Sequence, residues 1–301
     1  MQAINEHRPR SETRTSRAEL LAALPVREER LEIGGVWTAV LEGGDGPPLV
    51  LLHGPAGNAT HWMGVIPALT ANHRVIVPDL PGHGASLASA SALTADQVLA
   101  WLRELIWRTC GSPPVLVGQT LGGAIAARFA ISYMGRVSGL VLIDTFGLAP
   151  FQLPPDFAQA LTRFLSRPDP HTHEALWRHC AFDLDALRKR MAVSWKPFET
   201  YNVERARDPA VQAAVSALVQ EFGAAIPAHD LERIGVPTTL IWGRHDHATP
   251  LAVAEAAGRR YGWPLDVIEN ASDDPPVEQP EAVLRSLRLA LRRGSREPSP
   301  S

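Results

Sequence analysis

The stretch VLVGQTLGGAIAARFA, residues 115–130, limits the possible folds more than any other part of the chain. Val115, Leu116 and Val117 form a short apolar run that ends at a glycine, as a buried strand does. The alanine-rich residues from Leu121 onward have helix-forming character. So few residues separate the two that strand and helix must pack against each other. Gly118, Gly122 and Gly123 remove side-chain atoms that would keep them apart. Thr120 stands at the apex of this turn. A strand–tight turn–helix unit of this kind belongs to a parallel sheet covered by helices.

The rest of the chain repeats the pattern. PLVLLHG (48–54), RVIVPDL (74–80), PVLVGQ (114–119), GLVLIDT (139–145) and TTLIWG (238–243) read as buried strands, each followed by a turn rich in Gly, Pro or Asp. Residues 93–110 and 276–293 have helical periodicity, and Thr94 is placed to cap the first. From 147 to 230 the alternation lapses into proline-broken helical pieces rich in aromatic residues. The expected organisation is a polar N-terminal extension (1–28), an α/β core (29–146 and 231–293), a helical cap (147–230) and a polar tail (294–301), with extension and tail poorly ordered.

Composition excludes several classes. A chain of 301 residues, 45% hydrophobic, can bury a full core. Net charge is −3 without long basic or acidic runs, which argues against nucleic acid and membrane surfaces as partners. No segment reaches the ~18 apolar residues of a membrane span, and the N-terminus has no apolar signal core, so a cytoplasmic location is expected. Cys110 and Cys180 lack motif spacing and read as incidental thiols. Lysine occurs only at Lys189 and Lys196, which leaves few candidates for Schiff-base chemistry. The HTH (171–173) and HDH (245–247) triplets have no third ligand at metal spacing, so neither a metal nor any other cofactor is expected.

Five segments then fall in a telling order: LLHGPAGN (51–58), PDLPGHGAS (78–86), GQTLGG (118–123), GRHDHATP (243–250) and ENASDDPPVEQPEAV (269–283). Together they resemble the α/β-hydrolase family over residues 30–293, with the helical insertion in the place of the family's cap. The resemblance implies a mostly parallel central sheet with helices on both faces. It also implies a nucleophile on the glycine-flanked turn, a histidine base oriented by an acid, and two backbone N–H groups facing the oxyanion.

Carried onto this sequence, the nucleophile position falls on Thr120 and the acid position on Asp246. The histidine position falls on Asp273, or on Asp274 with a slip of one residue. One oxyanion donor is the N–H of Leu121; the other position falls on Pro55, which has no N–H. Ala56, Gln119, His247, Trp177 and Trp195 are expected around the pocket. His61 and Trp62 either reach it or pack in the core. His245 and His247 are conceivable substitute bases, His83 matches a structural turn, and Asp144 lies where some members place an alternative triad acid.

A β-branched residue on a strained turn is a poor nucleophile without a base. Two facing carboxyls, Asp246 and Asp273, would instead share a proton and serve as acid and base. The expected function is therefore non-hydrolytic acid/base chemistry on a small apolar, polyketide-like substrate of specialised metabolism, such as cyclisation, dehydration or rearrangement. Alternatives are a weak ester or lactone hydrolase using Thr120, and a catalytically inactive binding protein. Oligomeric state is not legible.

Overall fold

The computed structural model describes residues 11–87 and 93–294. Eight strands form one sheet: β1 Arg27–Ile33, β2 Val36–Gly43, β3 Pro48–Leu52, β4 Arg74–Pro78, β5 Val115–Gln119, β6 Gly139–Ile143, β7 Thr238–Gly243 and β8 Leu265–Ile268. Their spatial order is β1-β2-β4-β3-β5-β6-β7-β8. β2 pairs antiparallel with β1 and β4, and every later pairing is parallel. All five strands expected from the apolar runs are present.

Both faces of the central strands are buried, which is why those runs are continuous rather than alternating. Val50 and Leu52 of β3 pack into one core with the helices Ala95–Thr109 and Leu121–Ser132. Their neighbours Leu49 and Leu51 pack into a second core, beneath Pro280–Gly294. Thr94 and Gln97 form a reciprocal capping box at the start of Ala95–Thr109.

Between β6 and β7 the chain builds the cap from the helices Pro155–Ser166, Pro170–Cys180, Leu184–Met191, Trp195–Ala206 and Pro209–Phe222. Asp169, Asp183 and Asp208 each accept a hydrogen bond from a first-turn N–H, and proline follows two of them. Hence the proline-broken appearance of this segment: the breaks are helix starts.

One expectation needs correcting. The N-terminal extension carries a helix, Ser11–Leu21, packed against Trp195–Ala206 of the cap. Its Arg17 is buried and pairs with the fully buried Asp79 at 2.9 Å and with Glu28 at 2.8 Å. Arg17 also donates to the Tyr201 hydroxyl at 3.0 Å. A buried guanidinium with carboxylate partners is tolerated where a lone charge is not, so a polar segment is ordered by partners distant in sequence. The first ten residues of the extension and the tail from 295 lie outside the described residues.

Candidate active site

At the carboxyl end of β5, Thr120 adopts φ 44° and ψ −106° before the helix Leu121–Ser132 begins. This region is unfavourable for a β-branched residue, by about 1–3 kcal/mol. The surroundings enforce it. The Thr120 N–H donates to the Ile143 carbonyl at 2.9 Å, and its own carbonyl accepts from Ala124 N–H and Phe146 N–H, both at 3.1 Å. A Cβ at Gly122 would strike the Leu52 carbonyl, one at Gly123 the Thr145 hydroxyl, and one at Gly54 the Thr120 hydroxyl. The glycines of the turn therefore exist for close approach. The Thr120 Oγ1 is buried and has no hydrogen-bond partner. Leu121, first residue of the helix, has an N–H without an intrahelical acceptor. Pro55 contributes no donor, and Ala56 beside it sits at φ 56°, where Gly57 N–H turns back onto the Gly54 carbonyl.

The acid positions converge on this turn. Asp246 is buried in the loop after β7, where its carboxylate accepts from Ala248 N–H at 2.7 Å, Thr249 N–H at 2.8 Å and the Thr249 hydroxyl. Burial nevertheless pushes it up to about 6. Asp144 lies against it at the end of β6, at φ 44°, with Oδ1 accepting from Gly243 N–H at 2.8 Å and Oδ2 unpartnered. Burial and then the charge of Asp246 hold Asp144 well above the usual carboxylate range. Asp273 is tied to the turn from the other side: its carbonyl accepts from Gln119 Nε2 at 2.9 Å. Although Asp273 is half-buried as a residue, its Oδ1 is shielded and unpartnered. Burial, followed by the charges of Asp246, Asp274 and Glu278, pushes it well up.

The two neighbouring acids of the late loop have different surroundings. The charge of Asp246 acts on Asp273, whereas Asp274 Oδ2 meets His61 Nδ1 at 3.2 Å. Glu278 buttresses the loop by accepting from Ser272 N–H at 2.7 Å and Phe182 N–H at 2.6 Å, and burial raises it to about 8. Glu278, a buried acid inside PPVEQP, was missed by the sequence reading; its position in a polar segment carries no signal of burial.

The expected pocket residues divide. His61, Trp177 and Trp195 come together under the cap with Phe198 and His173. Trp62 does not join them: it is fully buried in the core beneath Pro280–Gly294, because its 3₁₀ turn directs consecutive side chains apart. His247 is exposed, since Asp246 caps the N–H groups of Ala248 and Thr249 and so turns residue 247 outward. His245 stacks on Phe182, ring centroids 4.4 Å apart.

A strained turn flanked by close-approach glycines, with acid loops after β6 and β7 and a final loop before the last helix, defines the class to which this site belongs. The sequence profile of the Alpha/beta hydrolase family matches residues 49–286, and the chain belongs to that family. The pimeloyl-[acyl-carrier protein] methyl ester esterase of Aeromonas hydrophila is 29% identical over 263 residues, covering 81% of this chain and 95% of that one. The magnesium-chelatase 30 kDa subunit of Rhodobacter capsulatus is 31% identical over 249 residues, covering 76% and 82%. Among solved structures, the 2-hydroxy-6-oxo-6-phenylhexa-2,4-dienoate hydrolase from Rhodococcus sp. strain RHA1 shares the fold with a TM-score of 0.76 at 24% identity, covering 89% of this chain and 99% of that one. Among the described residues, no helix is long and apolar enough to cross a membrane, and no group of three or more His, Cys, Asp or Glu is arranged to hold a metal ion.

Proposed function

We propose that this chain is an enzyme that uses the α/β-hydrolase site for acid/base chemistry without an acyl-enzyme, on a small apolar substrate bearing a carbonyl. The reading is supported above all by Asp273, a carboxyl tied to the turn through Gln119 and pushed up by burial and the charge of Asp246, at the position where the family resemblance puts the imidazole that would activate Thr120. In this reading the Thr120 hydroxyl and the Leu121 N–H hold the carbonyl oxygen. The trio Asp144, Asp246 and Asp273 keeps a carboxylic acid protonated near neutral pH beside a carboxylate. Such a pair supports enolisation, dehydration or rearrangement of the bound carbonyl compound.

A hydrolytic reading is favoured by the names of two relatives, an ester esterase and a 2-hydroxy-6-oxo-6-(2'-aminophenyl)hexa-2,4-dienoic acid hydrolase. Chromogenic acyl esters separate the two. We expect the natural protein to leave them intact and the Thr120→Ser/Asp273→His double variant to cleave them. Turnover by the natural protein that disappears in Thr120→Ala, with an acyl group found on Thr120 by mass spectrometry, would establish the hydrolase instead.

A further inference from the structure

A second polar group lies under the cap, apart from the carboxyl trio. His61 stands on the 3₁₀ turn Ala59–Trp62, whose start is capped by Asn58 accepting from Thr60 N–H at 3.0 Å. Its Nδ1 lies 3.2 Å from Asp274 Oδ2. A carboxylate only accepts, so Nδ1 carries the hydrogen and Nε2 carries the lone pair. That Nε2 is buried and unpartnered, in a residue 8% exposed. His173, on the cap helix Pro170–Cys180, is 1% exposed, and both its ring nitrogens are buried and unpartnered. The two imidazoles share aromatic neighbours. From His61, Phe198 is 5.1 Å and Trp177 is 6.3 Å away between ring centroids; from His173, Trp177 is 5.9 Å, Trp195 5.9 Å and Phe198 6.5 Å. Buried imidazole nitrogens left unpaired among aromatic rings are unfavourable for the fold itself, which gives a bound partner for them a stabilising role.

Resting on the acid/base reading above, we propose that His61, oriented by Asp274, is a general base of this site, and that its substrate is a planar conjugated molecule with an acidic C–H at His61 and a hydrogen-bonding group at His173. The histidine–acid pair implied by the family is thereby reassembled across the site: the late loop supplies the carboxylate, and the loop after β3 supplies the imidazole. Asp274 is a positioning residue; it holds the ring by its Nδ1 edge and stabilises the imidazolium formed when Nε2 takes a proton. The titratable groups facing His61 are Asp274 from the late loop, His53 from the end of β3 and His173 from the cap. Burial holds His53 well below the usual histidine range and His173 down at about 3, so neither charges near neutral pH.

The test uses 5-nitrobenzisoxazole as probe, a planar apolar molecule opened by a base alone. The base takes the ring C–H proton, that bonding pair forms the nitrile, and the N–O bond breaks to release a coloured phenolate. Water then takes the proton from His61. No nucleophile or oxyanion donor takes part, so Thr120 and Leu121 are not read. We expect the full-length protein to open the probe faster than free imidazole at equal concentration. His61→Gln should lose about 10²-fold or more. Asp274→Asn should lose about tenfold in kcat with KM little changed, because the ring loses its orienting acceptor and the imidazolium its counter-charge. His229→Gln, at a largely exposed histidine, should match the natural protein. Natural-level turnover by folded His61→Gln, or no catalysis above free imidazole, overturns the inference. Should His61→Gln fail to fold, an unchanged kcat in folded Asp274→Asn overturns it equally. Failure of the acid/base reading appears elsewhere, as ester cleavage by the natural protein through Thr120.

Discussion

The turn at Thr120 and the loop at Asp273 are two halves of one candidate site, held in place to different degrees. At the turn the backbone is fixed: φ is positive, the glycines closely approach neighbouring groups, and the carbonyl of Thr120 accepts three hydrogen bonds, from Ala124 N–H, Phe146 N–H and the Thr145 hydroxyl. At the late loop the path is also held, by Gln119 and Glu278, but the Asp273 side chain keeps a buried Oδ1 without a partner. The turn is packed between β3, β6 and its own helix, so its shape is a condition of folding. The side chain of residue 273 is tied into no such lattice. Backbone geometry is most tightly constrained where the same atoms also carry the core.

Proton dependence should separate the halves most. Glu278 is raised from 4.5 to about 8 and Asp246 from 3.8 to about 6. A carboxyl raised in the folded state binds more protons there than in the unfolded chain, so its contribution to stability is full at low pH and lost as pH rises through that window. At about 1.4 kcal/mol per unit the loss for Glu278 amounts to several kcal/mol between pH 4.5 and 8. Urea midpoints should fall over this range in the natural protein, and Glu278→Gln should flatten the slope; equal slopes in both would remove the late loop as its source.

Gly122→Ala comes next. Its Cβ would collide with the Leu52 carbonyl, so a loss of about 3 kcal/mol is expected by denaturant unfolding. Thr120→Gly acts in the opposite direction at the neighbouring position. Relief of the positive-φ strain should raise stability by about 1 kcal/mol, net of the glycine's larger unfolded-state entropy. Asp273→His should change stability least, by less than about 1 kcal/mol, because it replaces a carboxyl repelled by Asp246 with a partner for it. A loss as large as that of Gly122→Ala would show that residue 273 is as constrained as the turn.

Much of the fold could be read directly. Strands buried on both faces must be apolar throughout, so β3 to β7 stand out as runs of Val, Leu and Ile. The sheet edges could not. In β1, REERLEI, most side chains are exposed or half-exposed, and it reads as a charged segment. The helix Ser11–Leu21 was equally hidden, because its burial depends on Asp79 and Tyr201, which supply the partners that Arg17 requires. Trp62 and His61 are adjacent in sequence, yet one lies in the core and the other under the cap. A 3₁₀ turn of four residues has no periodicity long enough to reveal which is which.

The sequence by itself determined the alternating α/β core, the glycine-flanked turn with Thr120 at its apex, and the two adjacent carboxyls of the late loop. Each of these is written in local composition: apolar runs, glycines and residue types at motif spacing. Only the tertiary structure decided that the charge of Asp246 acts on Asp273 while Asp274 holds His61, that Glu278 is buried, and that the polar N-terminus is pinned through Arg17. Those pairings join residues up to 213 positions apart. They are set by where loops meet at the ends of strands, and no local pattern encodes that meeting.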